Sequence, residues 1–244
     1  MFAEVERRSV SDSVFEQLKE GILSGEMAAG SKLPAERELC AMMGVNRGAV
    51  REALKRLEQA QLVRIQHGGG THVLDYRKSG GLDLLGDMLV AQGGRINVQA
   101  VQSLMEMRTC IGTDVVRLAA LRADDMAVRE ARSIVVEMEE LRDDLERLQE
   151  LALTYWDVLV DSSENIAYRL AFNTMEQTYD KVRDAMAIVM EEELTAFETY
   201  HQILDAIHRR DTEVATQKAQ YVLEIGAKCI VDTTTVLAQM ALMP

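Results

Sequence analysis

Residues 34–72 constrain this chain more than any other stretch. They begin Pro34-Ala35-Glu36-Arg37-Glu38-Leu39, continue through Gly44-Val45-Asn46-Arg47-Gly48-Ala49-Val50-Arg51-Glu52-Ala53-Leu54, and end at His67-Gly68-Gly69-Gly70-Thr71-His72. Pro34 suits the first turn of a helix, where its missing N–H is not needed, and Leu39, Met42 and Met43 supply a buried face for that helix. Gly44 supplies a stop. Asn46 is a good N-cap for the next helix, which turns Val50, Ala53, Leu54 and Leu57 inward. The connection between them is short enough to be a tight turn. Upstream, Val14, Phe15, Leu18, Ile22 and Leu23 follow helical spacing over residues 11–24. Downstream, residues 62–66 and 71–74 are β-type segments around three glycines, the pattern of a hairpin.

Turn, helix, turn, helix and glycine-tipped wing is the order of a module that sets a helix in the major groove of DNA. The first turn of such a helix faces the bases, so Asn46, Arg47, Gly48 and Ala49 are candidate contacts, with Arg51 one turn further on. Arginine can bond bidentately to guanine O6 and N7. Gly48 and Ala49 are small enough to allow close approach. Arg37 is placed for a phosphate or the groove edge, and His67 with the backbone of Gly68 and Gly69 for the adjacent minor groove or backbone. The plainer alternative for each arginine is a surface ion pair with Glu36, Glu38 or Glu52, and for His67 a hairpin tip without a ligand.

A formal net charge of -13 looks wrong for such a role until the count is divided. Residues 1–75 hold 10 Lys and Arg against 11 Asp and Glu, which leaves 17 against 29 for the rest. Within residues 32–64 the balance is seven basic to four acidic, a local basic patch rather than a basic domain. The acidic remainder argues against a non-specific DNA-coating protein, because it would repel neighbouring phosphates. Cys40, Cys110 and Cys229 are far apart and odd in number, so neither a disulfide framework nor a metal knuckle is expected. Free thiols fit a reducing cytoplasm. No signal-peptide core and no apolar run long enough to span a bilayer is evident, so no membrane partner is expected.

Leu, Ala, Met, Glu and Arg recur, and only two residues are proline, so the composition leans to helix. Residues 76–81, polar and glycine-containing, read as a linker between a domain over 1–75 and another over 82–244. From Leu82 onward helical periodicity points to helices near 82–91, 98–122, 125–161, 165–190 and 194–240, each open to subdivision, with breaks at Gly93-Gly94, Asp124-Asp125, Asp161-Ser162-Ser163 and Arg209-Arg210-Asp211. The expected fold class is mostly α: an N-terminal winged helix-turn-helix with a small β-hairpin, then an all-α bundle of about six or seven helices.

The stretch from about Val14 to Val73 resembles the winged-helix domain of the GntR family of bacterial transcription regulators, through Leu33-Pro34-Ala35-Glu36-Arg37-Glu38-Leu39, Gly44-Val45, Arg47, Val50-Arg51-Glu52-Ala53-Leu54, Leu57 and Gly70-Thr71. It departs at Gln61, where the family usually has glycine, and at Asn46, where serine or threonine is usual. The remainder is similar to the helical ligand-binding (FCD) domain of the FadR subgroup, and within it to the fatty-acid-responsive branch. The residues carrying that similarity are Glu38, Ile65-Gln66-His67-Gly68, Ser79-Gly80-Gly81-Leu82-Asp83-Leu84-Leu85, Asn165, Tyr168, Met175 and Tyr179. The resemblance implies a homodimer on a short palindromic operator, DNA contacts from Arg37, Arg47, Arg51, His67 and Gly68, and a small-molecule effector in the helical domain. That effector is a fatty acyl-CoA or another carboxylate metabolite.

Many domains of the subgroup hold a divalent metal through one aspartate and three histidines. Here Ala152 and Trp156 stand where Asp and His would be, and only His201 keeps its place, so no metal and no cofactor is expected, a metal-dependent regulator of an organic-acid pathway being the alternative. His201 and His208 share a helix face without a third ligand. The effector candidates are Arg108, Tyr179, His201, Tyr221 and Glu224. Val222, Ile225 and Cys229 replace residues of the branch's ligand-contacting stretch. Arg108 suits a bidentate carboxylate or phosphate contact, or equally an acidic neighbour. The 14 methionines read as core rather than as a pocket. Glu191-Glu192-Glu193, and the Glu139-Glu140 to Arg147 region, read as solvated faces or helix-stabilising pairs. An enzyme acting on an acyl thioester is the competing class, but no histidine lies near a Ser or Cys in an elbow motif.

Overall fold

A computed structural model describes residues 9–66, 68–90, 96–180 and 188–240, and the chain divides into two compact units, 1–94 and 95–244. In the first unit Ser9 opens α1 (Val10–Leu23) with a capping box: its Oγ accepts from the Asp12 N–H at 3.1 Å while the Asp12 carboxylate accepts from the Ser9 N–H at 2.9 Å. α2 (Glu36–Met43) and α1 both pack on α3 (Arg47–Gln59). Val14, Leu18, Ile22, Leu39, Val50, Ala53, Leu54 and Leu57 close the core between them. Arg56 stacks over the Phe15 ring at 4.1 Å and pairs with Asp12, tying α3 to α1.

Gly44 ends α2 in the left-handed region, φ 66°, and the Asn46 side chain caps α3 by accepting from the Ala49 N–H at 2.9 Å. This is the tight turn that the sequence dictates. Pro34 lies outside the helix, however, ahead of the Ala35 cap, whose N–H donates to Glu38 at 2.9 Å. Met42 is 73% exposed rather than buried, because the short α2 turns only Leu39 fully into the core.

α3 closes with a Schellman turn: Leu62 N–H donates to Leu57 O at 2.9 Å and Gln61 N–H to Glu58 O at 3.0 Å, with Gln61 itself at φ 56°. The chain then enters β1 (Val63–Gln66), which pairs antiparallel with β2 (Gly70–Val73) in the register Val63 to Val73 and Gln66 to Gly70. Residues 30–33 add to the free edge of β2 through Gly30 N–H to Val73 O, Val73 N–H to Ser31 O and Leu33 N–H to Thr71 O, each at 2.9 Å.

The expected linker is part of the first unit. Tyr76–Ser79 form a helical turn, α4, capped by Asp75, and Ser79 Oγ donates back to Gln61 O at 2.7 Å. A 3-10 turn (Leu82–Leu84) and α5 (Leu85–Leu89) follow. Leu84 joins the winged-domain core, and Asp87 receives the buried Lys19 ammonium at 2.9 Å. Leu84 and Asp87 find partners on that unit, which is why it runs beyond residue 81.

The second unit holds seven helices among the described residues: α6 (Val98–Arg122), α7 (Asp125–Glu140), α8 (Leu145–Ser162), α9 (Ile166–Asp180), α10 (Glu191–Leu194), α11 (Phe197–His208) and α12 (Thr212–Met240). α6 and α12 lie side by side with α11 against both, α7 packs on α8 and α11, and α8 also meets α6, α9 and α10. The expected helix over 125–161 is divided at residues 141–144, where Asp144 caps α8 by accepting from Arg147 N–H at 3.1 Å. The breaks after α8 and α11 coincide with left-handed Glu164 and Arg210.

Candidate functional site

The first turn of α3 stands clear of the core. Asn46, Arg47, Gly48 and Arg51 are exposed, and so is Arg37 on α2. Ala49, expected on the same face, is 8% exposed and turns into the core, since it leads the inward series continued by Val50 and Ala53. Asn46 Oδ1 is committed to the helix cap, and a Cβ at Gly48 would lie 3.2 Å from that oxygen. Gly48 therefore keeps the face low and the cap undisturbed.

Arg51 does have an acidic partner: its Nε donates to Glu36 Oε2 at 2.8 Å. That contact uses Nε, and the exposed side chain keeps two Nη groups, the donors that a bidentate base contact can use. Beyond α3 the wing turns through Gly68, at φ 73°, and Gly69, whose N–H donates to Gln66 O at 3.0 Å. His67 lies outside the described residues. Lys32, which the motif reading passed over, pairs through its backbone with His72 and lays its side chain across Gly70, where a Cβ would overlap it. Its signal lay in tertiary structure, since only strand pairing brings residue 32 to the wing.

In the helical unit the sequence candidates separate. Arg108 of α6, partly buried, forms a bidentate ion pair with the buried Glu193 of α10, Nη1 to Oε2 at 3.1 Å and Nη2 to Oε1. Glu193 is 1% exposed, so the acidic run that reads as a solvated face sends one member into the interior. Burial disfavours the Arg108 charge, and the adjoining Glu193 carboxylate more than reverses this, holding the guanidinium above its ordinary pKa. Tyr179 and Tyr200 also lie within electrostatic reach of Arg108. The Tyr179 hydroxyl donates to Met190 Sδ at 3.5 Å.

Around that pair, Tyr155 meets Tyr200 and Trp156 edge-on, at centroid distances of 4.9 and 5.7 Å. The Tyr155 and Tyr200 hydroxyls and Trp156 Nε1 are buried with no hydrogen-bond partner among the described residues. Burial pushes both phenols well above their ordinary pKa, so they stay protonated. Tyr221 and Glu224, by contrast, are exposed on α12 and stand apart from this cluster. Each is two residues, about 200° of helix, from an inward residue, Leu223 or Gly226. His201 sits at the margin between α11 and α7, with Nε2 at 3.2 Å from Glu139 Oε1, while His208 faces Asp125. Ala152 and Trp156 bring no ligand, and no three His, Cys, Asp or Glu among the described residues converge as a metal set. These residues do not fit a divalent metal.

Residues 10–73 match the family described as bacterial regulatory proteins, gntR family, and residues 103–224 match the FCD domain. This chain belongs to the GntR family. The GntR-family chain is 37% identical over 222 residues to the HTH-type transcriptional regulator Mce2R of Mycobacterium tuberculosis, covering 91% of this chain and 92% of that one. It is 33% identical over 167 residues, 68% of each, to the fatty acid metabolism regulator protein of Cronobacter sakazakii. Among solved structures, Lar, which controls expression of the Listeria monocytogenes agr system, superposes with a TM-score of 0.57 at 18% identity over 93% of this chain and 99% of that one. A GntR family member from Pseudomonas syringae gives 0.51 at 20% identity, over 95% and 88%. Both share the fold. The chain is thus a GntR-type transcriptional regulator with an FCD effector-binding domain, and no described helix is long and apolar enough to cross a membrane.

Proposed function

We propose that the chain is a cytoplasmic homodimer that binds a short palindromic operator and releases or retunes it when an acyl effector, best represented by a fatty acyl-CoA, enters the helical unit. The DNA half rests on one observation: Arg37, Arg47 and Arg51 are exposed on the helix-turn-helix whose wing carries Gly68 and Gly69. Two-fold symmetry in the protein then matches two-fold symmetry in the site. The acyl half is supported by likeness to relatives named fatty acid metabolism regulator and by the buried cluster around Arg108 and Tyr179. An effector changes operator affinity only by binding the DNA-competent and DNA-incompetent arrangements unequally.

Titration of the purified protein onto DNA from its own upstream region tests the reading, with scrambled DNA as reference and acyl-CoA added as a second titrant. Tight binding confined to the upstream DNA and weakened by acyl-CoA is the expected result. Equal affinity for scrambled DNA at physiological salt would overturn the operator reading, and operator binding indifferent to acyl-CoA would overturn the effector reading.

A further inference from the structure

Arg108 is the cationic group of the buried cluster, and its fork is already filled by Glu193. The arrangement is built for that partner: a Cβ at Gly226 of α12 would overlap Glu193 Oε2, so the glycine is what lets the carboxylate lie there. With the two charges cancelled, the buried polar groups beside them that have no protein partner among the described residues include the hydroxyls of Tyr155 and Tyr200 and the indole N–H of Trp156. Tyr155 and Tyr200 are each 0% exposed and Trp156 is 7% exposed. The indole can only donate, and the phenols, held protonated by burial, are donors as well. Buried donors without acceptors are costly, and a bound molecule that supplies an acceptor removes the cost. A carboxylate could supply one, but it would place a second negative charge beside Glu193 in a medium that screens poorly.

Resting on the acyl-effector reading above, we propose that Glu193 is a specificity-determining residue: by occupying Arg108 it makes the cluster reject free carboxylates and accept the neutral carbonyl of an ester, thioester or amide through Tyr155, Tyr200 and Trp156. Arg108 then acts as the anchor of Glu193 rather than as the effector's own counter-ion. Selection between an acid and its neutral derivative is thereby set by the protein's own carboxylate.

Trp156 is the chain's single tryptophan, so its fluorescence reports on this cluster directly. The full-length protein is titrated with decanamide and with decanoate, which match in chain and differ in charge at the carbonyl end. Decanamide is expected to bind about tenfold or more tightly than decanoate. In Glu193→Gln the gap should close, with decanoate gaining about tenfold, because Arg108 becomes available to it. Tyr200→Phe should weaken decanamide about tenfold while leaving the thermal midpoint unchanged or higher, since it removes a buried donor without a protein acceptor.

Decanoate binding as tightly as decanamide to the wild-type protein overturns the inference, as does an unchanged preference in Glu193→Gln. Decanamide affinity indifferent to both Tyr155→Phe and Tyr200→Phe also overturns it, and assigns those donors to structural water. If Glu193→Gln does not fold, the two probes on the wild type and on Tyr200→Phe still decide. A Trp156 signal that answers to neither probe overturns the acyl-effector reading itself, and the inference with it, while operator binding stands.

Discussion

Arg51 of α3 donates from Nε to Glu36 Oε2 of α2 at 2.8 Å, so the arginine proposed as the outer DNA contact is held by the preceding helix. Both side chains are well exposed, and a pair of that kind contributes about 1 kcal/mol or less to stability. Its effect is geometric: with Nε engaged by Glu36, Nη1 and Nη2 are the Arg51 donors left for a bidentate contact of the kind guanine O6 and N7 accept. Glu36→Gln should leave the thermal midpoint nearly unchanged and lower the ratio of operator to scrambled-DNA affinity by about threefold to tenfold. Arg51→Ala should lose about 1 to 3 kcal/mol of discrimination at one base position in each half-site. Binding measured across a library of single-base operator variants checks both, and unchanged base preference in Arg51→Ala would reject the assignment of this helix to the groove.

Gln61 holds the left-handed position of the turn that ends α3, at φ 56°, a conformation costing a non-glycine residue about 1 to 2 kcal/mol. The turn is otherwise complete, with Leu57 and Leu62 fully buried at its two ends. Gln61 recovers little, since its side chain makes only a 3.3 Å contact with Glu58 O. Gln61→Gly should therefore stabilise the winged unit by about 1 kcal/mol and raise its midpoint by several degrees, about 4 to 8 °C for a domain of this size. Differential scanning calorimetry of the full chain provides the check. A lower midpoint would mean that the glutamine has a partner worth more than the strain.

The parts of this molecule that sequence reveals are those fixed locally. Gly44 must stop a helix and Asn46 must start one, because backbone conformation and capping depend on the residue itself. Phase is less secure in short elements: α2 turns Leu39 fully and Met43 partly inward and leaves Met42 exposed, and the start of α3 turns Ala49 inward. The polar stretch after Asp75 reads as a linker because Leu84 and Asp87 find their partners only through tertiary contact. The buried pair is the extreme case. Arg108 and Glu193 are separated by 85 positions, and nothing in Glu191-Glu192-Glu193 marks the third member as interior.

Asp114 of α6 accepts from Arg117 Nε at 2.6 Å and from the Tyr168 hydroxyl of α9 at 3.0 Å. The Arg117 hydrogen bond chiefly, then that from Tyr168, holds its carboxyl below the ordinary aspartate value of 3.8 despite partial burial. A folded-state pKa below the unfolded one means that the stabilising contribution is present above the unfolded value and is lost as pH falls through the folded one. Asp205, lowered mainly by Arg132, follows the same sign. Unfolding monitored against pH should show the helical unit losing stability in acid, below about pH 4, with little change from these two groups above about pH 5. Asp114→Asn should flatten part of that acid limb, and an unaltered limb would show that Asp114 titrates alike in both states.

Gly226 makes room on α12 for Glu193, and the two should be coupled far beyond their separate effects. Adding a methyl in Gly226→Ala drives a Cβ into Glu193 Oε2, and the carboxylate cannot yield without leaving the partly buried Arg108 unpaired. Overpacking alone costs about 1 to 3 kcal/mol, and an uncompensated buried charge about 3 to 5 kcal/mol. Gly226→Ala should therefore destabilise the helical unit by at least about 2 kcal/mol, measured by urea unfolding. In a Glu193→Ala background only the residue 193 Cβ remains close, at 3.3 Å, so the same substitution should cost about 1 kcal/mol or less. A double-mutant cycle that closes additively would show that α12 shifts to absorb the methyl and that the fit of Gly226 to Glu193 is incidental.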